Sequence, residues 1–293
     1  MIDKSPGRRI FNFINTIGMI AYALVCIFPM LHILALSLSS TIAVSTGRVS
    51  VWPVDFTLKS YEYILNRPQF WDAMGVSILR VVLGVSVNML MVVIAAYPLS
   101  KSVKEFKPRT AIVWFFVFTM LFSGGMIPSY MIVRNTRLIN SIWALILPGA
   151  VPVFNLILMI NFFKSVPKEM EESAFMDGAG YFRILWQIYI PLSMASIATI
   201  AVFAIVNHWN SWFDGMIYMN DARKYPMQTY LQSILVQPNV RQLTKAQAEL
   251  MRRISDRTIK ASQVFIAAIP VLLVYPFMQR YFVKGIMLGS VKE

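Results

Sequence analysis

Long apolar stretches separated by short polar clusters dominate the pattern of the chain. These stretches lie at residues 14–38, 74–99, 111–131, 142–163, 184–206 and 263–283. Each has roughly the 18 to 25 residues that a helix needs to cross about 30 Å of hydrocarbon. Strands of a membrane barrel would instead alternate apolar and polar residues in segments of about ten. The pattern therefore predicts an all-α membrane protein with about six transmembrane helices.

Composition agrees with a membrane environment. Of the 293 residues, 57% are hydrophobic and only 14% are charged, which is more apolar than a soluble domain requires. The net charge of +13 would suit nucleic acid, but basic residues beside apolar spans more commonly fix topology. The single cysteine, Cys26, excludes an intrachain disulfide. The N-terminal apolar run lacks a small-residue cleavage site, which favours a retained helix over a signal peptide.

Positive charge between the spans predicts the orientation of the chain. The short loop 101–109 contains three lysines and one arginine against one glutamate, and the N-terminal tail is also basic. The positive-inside rule puts both in the cytoplasm, and six spans then put both termini there. The polar segment 165–183 is expected in the cytoplasm as well. Residues 211–263 are expected to form a long extracytoplasmic loop within a single transmembrane domain, 1–293.

The segment 165–183 has the pattern of a short helix, a tight turn and a second helix. Ser165 can cap the first helix, and Pro167 fits its first turn. Acidic residues near its start complement the helix dipole. We expect this helix to end near Asp177, where Gly178 and Gly180 can both adopt positive φ at low cost.

A spaced motif runs through this segment and into the fifth span. It consists of Glu172-Ser173-Ala174, then Gly178 after three residues, then Ile188-Tyr189-Ile190-Pro191 after nine more. This spacing resembles the hallmark of the permease subunits of binding-protein-dependent ABC importers, Glu-Ala-Ala, three residues, Gly, nine residues, Ile-x-Leu-Pro. Ser173 and Ile190 depart from that pattern, and both are conservative changes. The Asp177-Gly178-Ala179 core resembles the carbohydrate-importing branch.

Further matches extend this resemblance over most of the chain. They are Val51-Trp52-Pro53, residues 123–128, residues 207–210 and the tail from Gln279, which resemble permeases for complex or oligomeric saccharides. The resemblance implies the type I importer fold and half of a translocation path for an oligo- or polysaccharide, with acidic, alginate-type saccharides among the candidates. It also implies a bacterial inner-membrane location. The implied partners are a second homologous permease in a heterodimer, a cytoplasmic ATPase dimer and an extracytoplasmic solute-binding protein.

The resemblance identifies the segment 165–183 as a coupling helix that docks on the ATPase. The residues it implies for this contact are Glu172, Ser173, Ala174, Asp177 and Gly178. The chain contains no Gly-x-x-x-x-Gly-Lys-Ser/Thr phosphate loop. We therefore expect a transport subunit that is not itself an enzyme, with ATP and Mg²⁺ bound by the partner. The alternative for this segment is an ordinary acidic connector.

Polar residues in the predicted spans are candidates for the substrate path. Arg80 is the one full charge well inside a span, where exposure to lipid would cost on the order of 3 kcal/mol. It either packs against protein or lines the path, where its guanidinium would suit a substrate carboxylate. Asn207, His208, Trp209 and Asn210 combine aromatic and amide groups, as sugar sites do, although an aromatic interfacial belt also explains the tryptophan.

Two other functions compete with this interpretation. A secondary transporter would also have several apolar spans, but it commonly carries intramembrane carboxylates, and no predicted span core contains Asp or Glu. An intramembrane enzyme would need a catalytic motif such as His-Glu-x-x-His, which the chain lacks.

Overall fold

The computed structural model describes residues 6–236 and 256–290, and all regular structure in these ranges is helical. The α-helices, numbered in chain order, are α1 Pro6–Ser37, α2 Thr41–Ser45, α3 Lys59–Leu65, α4 Pro68–Ser100, α5 Arg109–Leu121, α6 Met126–Asn135, α7 Val153–Lys164, α8 Lys168–Met176, α9 Tyr181–Ile184, α10 Ile190–Leu192, α11 Met194–Asn210, α12 Phe213–Tyr218, α13 Met227–Val236 and α14 Asp256–Ser290. Short 3₁₀ turns occupy Ile142–Leu145, Leu147–Gly149 and Ala222–Lys224, and Leu185–Tyr189 is a π-helical turn.

Two helices, α1 and α4, are long and apolar enough to cross a membrane alone. Three bent pairs reach that length together: α5 with α6, Ile142–Gly149 with α7, and Tyr181–Leu192 with α11. By length and composition the described residues therefore contain up to five candidate spans. They coincide with the first five predicted stretches, and the sixth, 263–283, falls within α14. The total of about six spans stays a prediction.

The three bends were not apparent from the apolar pattern, which indicated unbroken stretches. They measure 114°, 50° and 82° in chain order. Gly125 separates α5 from α6 with a φ of 87°, and Pro152 directly precedes α7. Pro191 has no amide hydrogen for the turn before it, and that turn is the π-helical one, where the Ile190 N–H donates to the Leu185 carbonyl. Each bend lies where glycine or proline disfavours a continuous helix.

Contacts divide the chain into two units. The first comprises residues 1–68 and 233–269. Here serine side chains join α1, α3 and α14: the Ser262 hydroxyl lies 2.8 Å from the Ser60 hydroxyl, which donates to the Ser37 carbonyl at 2.8 Å. Buried small residues let these backbones approach closely.

The second unit comprises residues 69–232 and 270–293 and contains the functional candidates. Its main core is drawn from α4, α7, the α9 region and α11, and it includes Val92, Ala96, Leu156, Met159, Phe163, Ile184, Leu185 and Ile200. A smaller core joins Val133 of α6 to Tyr218 of α12. The main core fixes the two ends of the polar segment 165–183 against the long helices, because Phe163 and Ile184 flank that segment.

Candidate functional site

The segment 165–183 forms a helix, a turn and a second helix, as predicted. Helix α8 ends at Met176 with Asp177 as its C-cap, and Gly178 has a φ of 76°. A Cβ at Gly178 would have no heavy atom within 4 Å, so the backbone angle alone requires glycine here. The expected end of the helix and the positive φ of Gly178 are therefore confirmed.

Two local features that the sequence allows in this segment are not adopted. Ser165 does not cap α8, because it is the C-cap of α7 and its hydroxyl donates to the Phe162 carbonyl at 2.7 Å. Pro167 occupies the N-cap of α8 instead, and its side chain makes no capping hydrogen bond. Gly180 has a φ of −80°, an extended conformation open to any residue, so only Gly178 makes the turn.

One face of α8 is exposed and carries apolar and acidic side chains. Met170, Phe175 and Met176 are 44%, 40% and 89% exposed, respectively. Glu172 is exposed as well, whereas Ala174 is half-buried and packs against the main core. Exposed large apolar groups rimmed by charge are typical of a docking surface. Helix α8 therefore has an inner face toward the long helices and an outer face open to a partner.

On its inner face, α8 contributes Glu171 to a group of four side chains, Tyr97, Lys101, Glu171 and Tyr189, which we call the Lys101 cluster. Lys101 pairs with Glu171 Oε1 and donates to the Tyr189 hydroxyl at 2.9 Å. Tyr189 donates to Glu171 Oε2 at 2.6 Å, and Tyr97 donates to Oε1 at 3.3 Å. Lys101 is 9% and Glu171 13% exposed. Both carboxylate oxygens of Glu171 are therefore satisfied by other elements.

The ammonium of Lys101 also lies over two aromatic rings. Its Nζ is 4.1 Å from the centre of Tyr97 and 4.3 Å from the centre of Tyr189. Burial lowers the pKa of Lys101, while the hydrogen bond and charge of Glu171 oppose this shift. The ring faces and the carboxylate offset the cost of removing the cation from water. The Lys101 cluster thus joins the end of α4, helix α8 and the π-helical turn.

The Lys101 cluster lines one wall of a cavity of about 810 Å³. Basic residues, among them Arg109, Lys164 and Lys168, contribute to its rim, and apolar residues such as Phe106 and Leu185 also line it. No group of three or more potential metal-ligating side chains occurs among the described residues. The basic and hydroxyl side chains that line this cavity suit charged or hydrogen-bonding groups.

Arg80 of α4 is 2% exposed and pairs with Asp214 of α12. Its Nη2 contacts Oδ2, and its Nη1 donates to Oδ1 at 3.2 Å and to the Ser211 carbonyl at 3.3 Å. The Arg80 guanidinium, which would suit a substrate carboxylate, is therefore already bound to the carboxylate of Asp214. This geometry favours the packing interpretation of Arg80.

Two turns further along α4, Asn88 makes a second buried polar contact. Its Nδ2 donates to the carbonyls of Gly149 and Ala150 at 2.9 and 3.0 Å. Its Oδ1 can only accept, so His208 Nε2 is the donor in the 2.8 Å contact between them. The imidazole lies against Gly84, where a Cβ would be only 2.5 Å from Nε2. Glycine is therefore required for the close approach of α4 and α11.

The four polar and aromatic candidates at the end of α11 do not form one surface. His208 and Trp209 are each 5% exposed, whereas Asn207 and Asn210 are exposed. Two faces of the helix account for this division, since successive residues are about 100° apart. Only the two amides are accessible to a ligand.

Comparison with known proteins identifies the family. Protein LplC of Bacillus subtilis is 38% identical over 293 residues, which span 99% of this chain and 98% of LplC. The polygalacturonan/rhamnogalacturonan transport system permease protein YtcP of the same organism is 38% identical over 285 residues, 97% of this chain and 99% of YtcP. The chain belongs to the family of saccharide ABC transporter permeases. No protein-family model matches it.

A solved structure agrees with this assignment of the permease. A chain of a bacterial ABC transporter involved in the import of the acidic polysaccharide alginate has 33% sequence identity and a TM-score of 0.87. The match covers 96% of the permease and all of that chain. The expected family and the helical importer fold are therefore confirmed.

Sequence patterns alone do not reveal the polar contacts of the permease. Asp214 follows the fifth predicted span and pairs with Arg80. The sequence indicates only that a buried Arg80 requires a carboxylate partner, and it does not indicate which one. Lys101 has the pattern of a topology-fixing charge, and Glu171 that of a helix-dipole residue. Nothing in the sequence indicates that these two residues, 70 positions apart, meet.

Proposed function

We propose that this permease forms half of the translocation path of an ATP-driven importer for an acidic oligo- or polysaccharide. The substrate class is supported by the polygalacturonan/rhamnogalacturonan system of YtcP and by the alginate transporter. A second, homologous permease completes the path as a heterodimer, and an extracytoplasmic binding protein delivers the saccharide. A cytoplasmic ATPase dimer binds ATP and Mg²⁺. The permease resides in the bacterial inner membrane with both termini in the cytoplasm.

The segment 165–183 couples this permease to the ATPase. The observation that carries this role is the exposure of α8, where the large apolar side chains Met170 and Phe175 are accessible together with the acidic Glu172. An importer must bias two packings of the same helices, and a partner does so only through contacts that differ between them. The ATPase binds the outer face of α8, and the contacts of the inner face transmit the displacement of α8 to the membrane helices.

The exposed amides of Asn207 and Asn210 are the substrate contacts that we assign to the path. Amides both donate and accept, which matches the hydroxyl groups of a saccharide. Arg80 and His208 are buried behind them and hold α4, α11 and α12 together through Asp214 and Asn88. In this role they position the path without touching the saccharide.

The test changes the turn and the charge of the docking surface together, in Gly178→Val with Glu172→Lys. A β-branched residue at a φ of 76° costs of order 1–3 kcal/mol, and lysine reverses the charge offered to the ATPase. We expect the variant to reach the membrane and to lose both saccharide transport and the stimulation of ATP hydrolysis by loaded binding protein in reconstituted vesicles.

The matched control is Gly180→Val, because Gly180 has an extended backbone and open space around it. It should retain full stimulation. Crosslinking to the ATPase from a cysteine at position 176, where Met176 is 89% exposed, provides a second readout and should disappear only in the Gly178→Val, Glu172→Lys variant. If stimulation and crosslinking both survive in that variant, α8 is not the coupling helix.

A further inference from the structure

We propose that Lys101 and Glu171 form the joint through which movement of α8 reaches the membrane helices. This inference rests on the coupling role of α8 proposed above and assigns its inner contact. Glu171 lies one residue before the docking residue Glu172, about 100° around the helix, and it is 13% exposed, whereas Glu172 is exposed. Adjacent positions of one short helix thus serve two different surfaces.

The connections of α8 to the long helices are few. No described helix makes an extensive contact with α8. A cavity of about 810 Å³ lies between α8 and the ends of α4 and α9, and Glu172 and Phe175 line it together with Glu171. Ala174 supplies an apolar contact to the main core. The directional contacts are those of Glu171, which binds Lys101 and Tyr97 through one oxygen and Tyr189 through the other. The Lys101 cluster is therefore the polar attachment point of α8.

The three partners of Glu171 belong to two different candidate spans. Tyr97 lies in the last turn of α4, and Lys101 follows directly after it. Tyr189 ends the π-helical turn Leu185–Tyr189 that leads into the fifth span. Single π-helical turns are often found at functional sites, where the helical register can change. A displacement of Glu171 would thus act on α4 and on the π-helical turn together.

The burial of Lys101 makes this joint selective for a cation. Its Nζ lies over the rings of Tyr97 and Tyr189 at 4.1 and 4.3 Å, and the Tyr189 hydroxyl accepts from it at 2.9 Å. The rings alone would hold an apolar side chain, but they would not orient it toward a carboxylate. Lys101 is a positioning residue in this proposal, and its effect is exerted through Glu171.

The experiment uses Lys101→Met, which keeps the length of the side chain and removes its charge, and Glu171→Gln. Matched controls are Lys104→Met and Glu169→Gln, exposed neighbours in the same loop and the same helix. In the reconstituted importer, each joint variant should reduce binding-protein-stimulated ATP hydrolysis at least about tenfold, the loss expected for one charge-assisted hydrogen bond. The controls should match the unmodified permease, and all four variants should still copurify with the ATPase.

The double variant Lys101→Met, Glu171→Gln separates a joint from general instability. If both residues act through one contact, its stimulation equals that of either single variant, whereas independent losses multiply and would overturn the proposal. Loss of ATPase copurification in Lys101→Met would also overturn it, because the residue would then belong to the docking contact.

A chemical bridge tests the connection directly. Cysteines placed at positions 101 and 171 in a Cys26→Ser permease, joined by a bifunctional thiosulfonate reagent, should recover stimulation and lose it again on reduction. If ATP hydrolysis by the crosslinked double-cysteine permease is still not stimulated by loaded binding protein, the proposed joint is wrong.

Failure of the joint and failure of the coupling helix give different results. If Gly178→Val with Glu172→Lys abolishes stimulation while Lys101→Met does not, α8 couples by another inner contact. If Gly178→Val with Glu172→Lys leaves stimulation intact, the coupling role itself is wrong.

Discussion

Replacing Asp214 by alanine should destabilise the permease more than removing both members of the Arg80–Asp214 pair. Arg80 is 2% exposed, and without Asp214 its guanidinium would keep only the Ser211 carbonyl at 3.3 Å. Breaking a buried ion pair on one side costs about 3–5 kcal/mol, because an uncompensated charge stays inside. Asp214 itself is 26% exposed, so we expect the lower end, about 3 kcal/mol.

Thermal unfolding in detergent, followed by tryptophan fluorescence, measures this difference. For a chain of this size, about 3 kcal/mol corresponds to a fall in Tm of roughly 6 to 12 °C. The double variant Asp214→Ala, Arg80→Met should recover part of that fall, since no unpaired charge remains buried. The control is Arg223→Ala, which breaks the exposed ion pair with Asp221, leaves the Asp221 cap in place and should leave Tm unchanged.

Two results would refute this reasoning. In the first, Asp214→Ala unfolds at the temperature of the unmodified permease, which would mean that Arg80 finds water or another partner. In the second, the double variant is no more stable than Asp214→Ala, which would mean that the buried charge is not the source of the loss. Either result would reopen the assignment of Arg80 to the substrate path.

Two further predictions concern packing and topology. Gly84→Ala should displace the His208 ring, because the new Cβ would lie 2.5 Å from Nε2. We expect it to lower the free energy of unfolding by about 1–3 kcal/mol in the same assay. The control is Gly75→Ala, which lies in open space on the same helix and should not lower the stability. In a Cys26→Ser permease, cysteines placed at Lys104 and Met176 should react with a membrane-impermeant thiol reagent only from the cytoplasmic side. A cysteine at residue 240, outside the described residues, should react only from the other side. A reversed pattern would contradict the predicted orientation.

The features that the sequence predicts correctly are those that depend on neighbouring residues. Apolar length determines which stretches form long helices, and five of the six predicted stretches coincide with candidate spans or bent pairs. The turn at Gly178 follows from the motif because a positive φ is a local requirement. The Ser165 cap fails for a local reason too: the preceding helix, α7, ends at Lys164, one residue beyond the predicted stretch, and takes Ser165 as its own C-cap.

The features that could not be predicted depend on residues far apart in the chain. Arg80 and Asp214 are separated by 134 positions, and Asn88 and His208 by 120. Hydropathy reports how apolar a stretch is, but it carries no information on which polar side chains meet inside the protein. The bends have a similar cause, since proline and glycine permit a break without requiring one, and tertiary packing sets the angle.

Two buried ion pairs among the described residues, Arg80–Asp214 and Lys101–Glu171, have a similar arrangement. Each has its cation on or directly after α4, and each carboxylate comes from a short helix outside the predicted spans, Asp214 from α12 and Glu171 from α8. Arg80 and Lys101 are therefore paired although no predicted span core contains Asp or Glu. Lys101 lies 21 positions after Arg80, which corresponds to about 31 Å at the helical rise and is close to the thickness of the hydrocarbon core. Helix α4 therefore connects the attachment of α8 at one end to the attachment of α12 at the other. A displacement applied to Glu171 then has a direct mechanical route along α4 to the side of the permease where Asn207 and Asn210 are exposed.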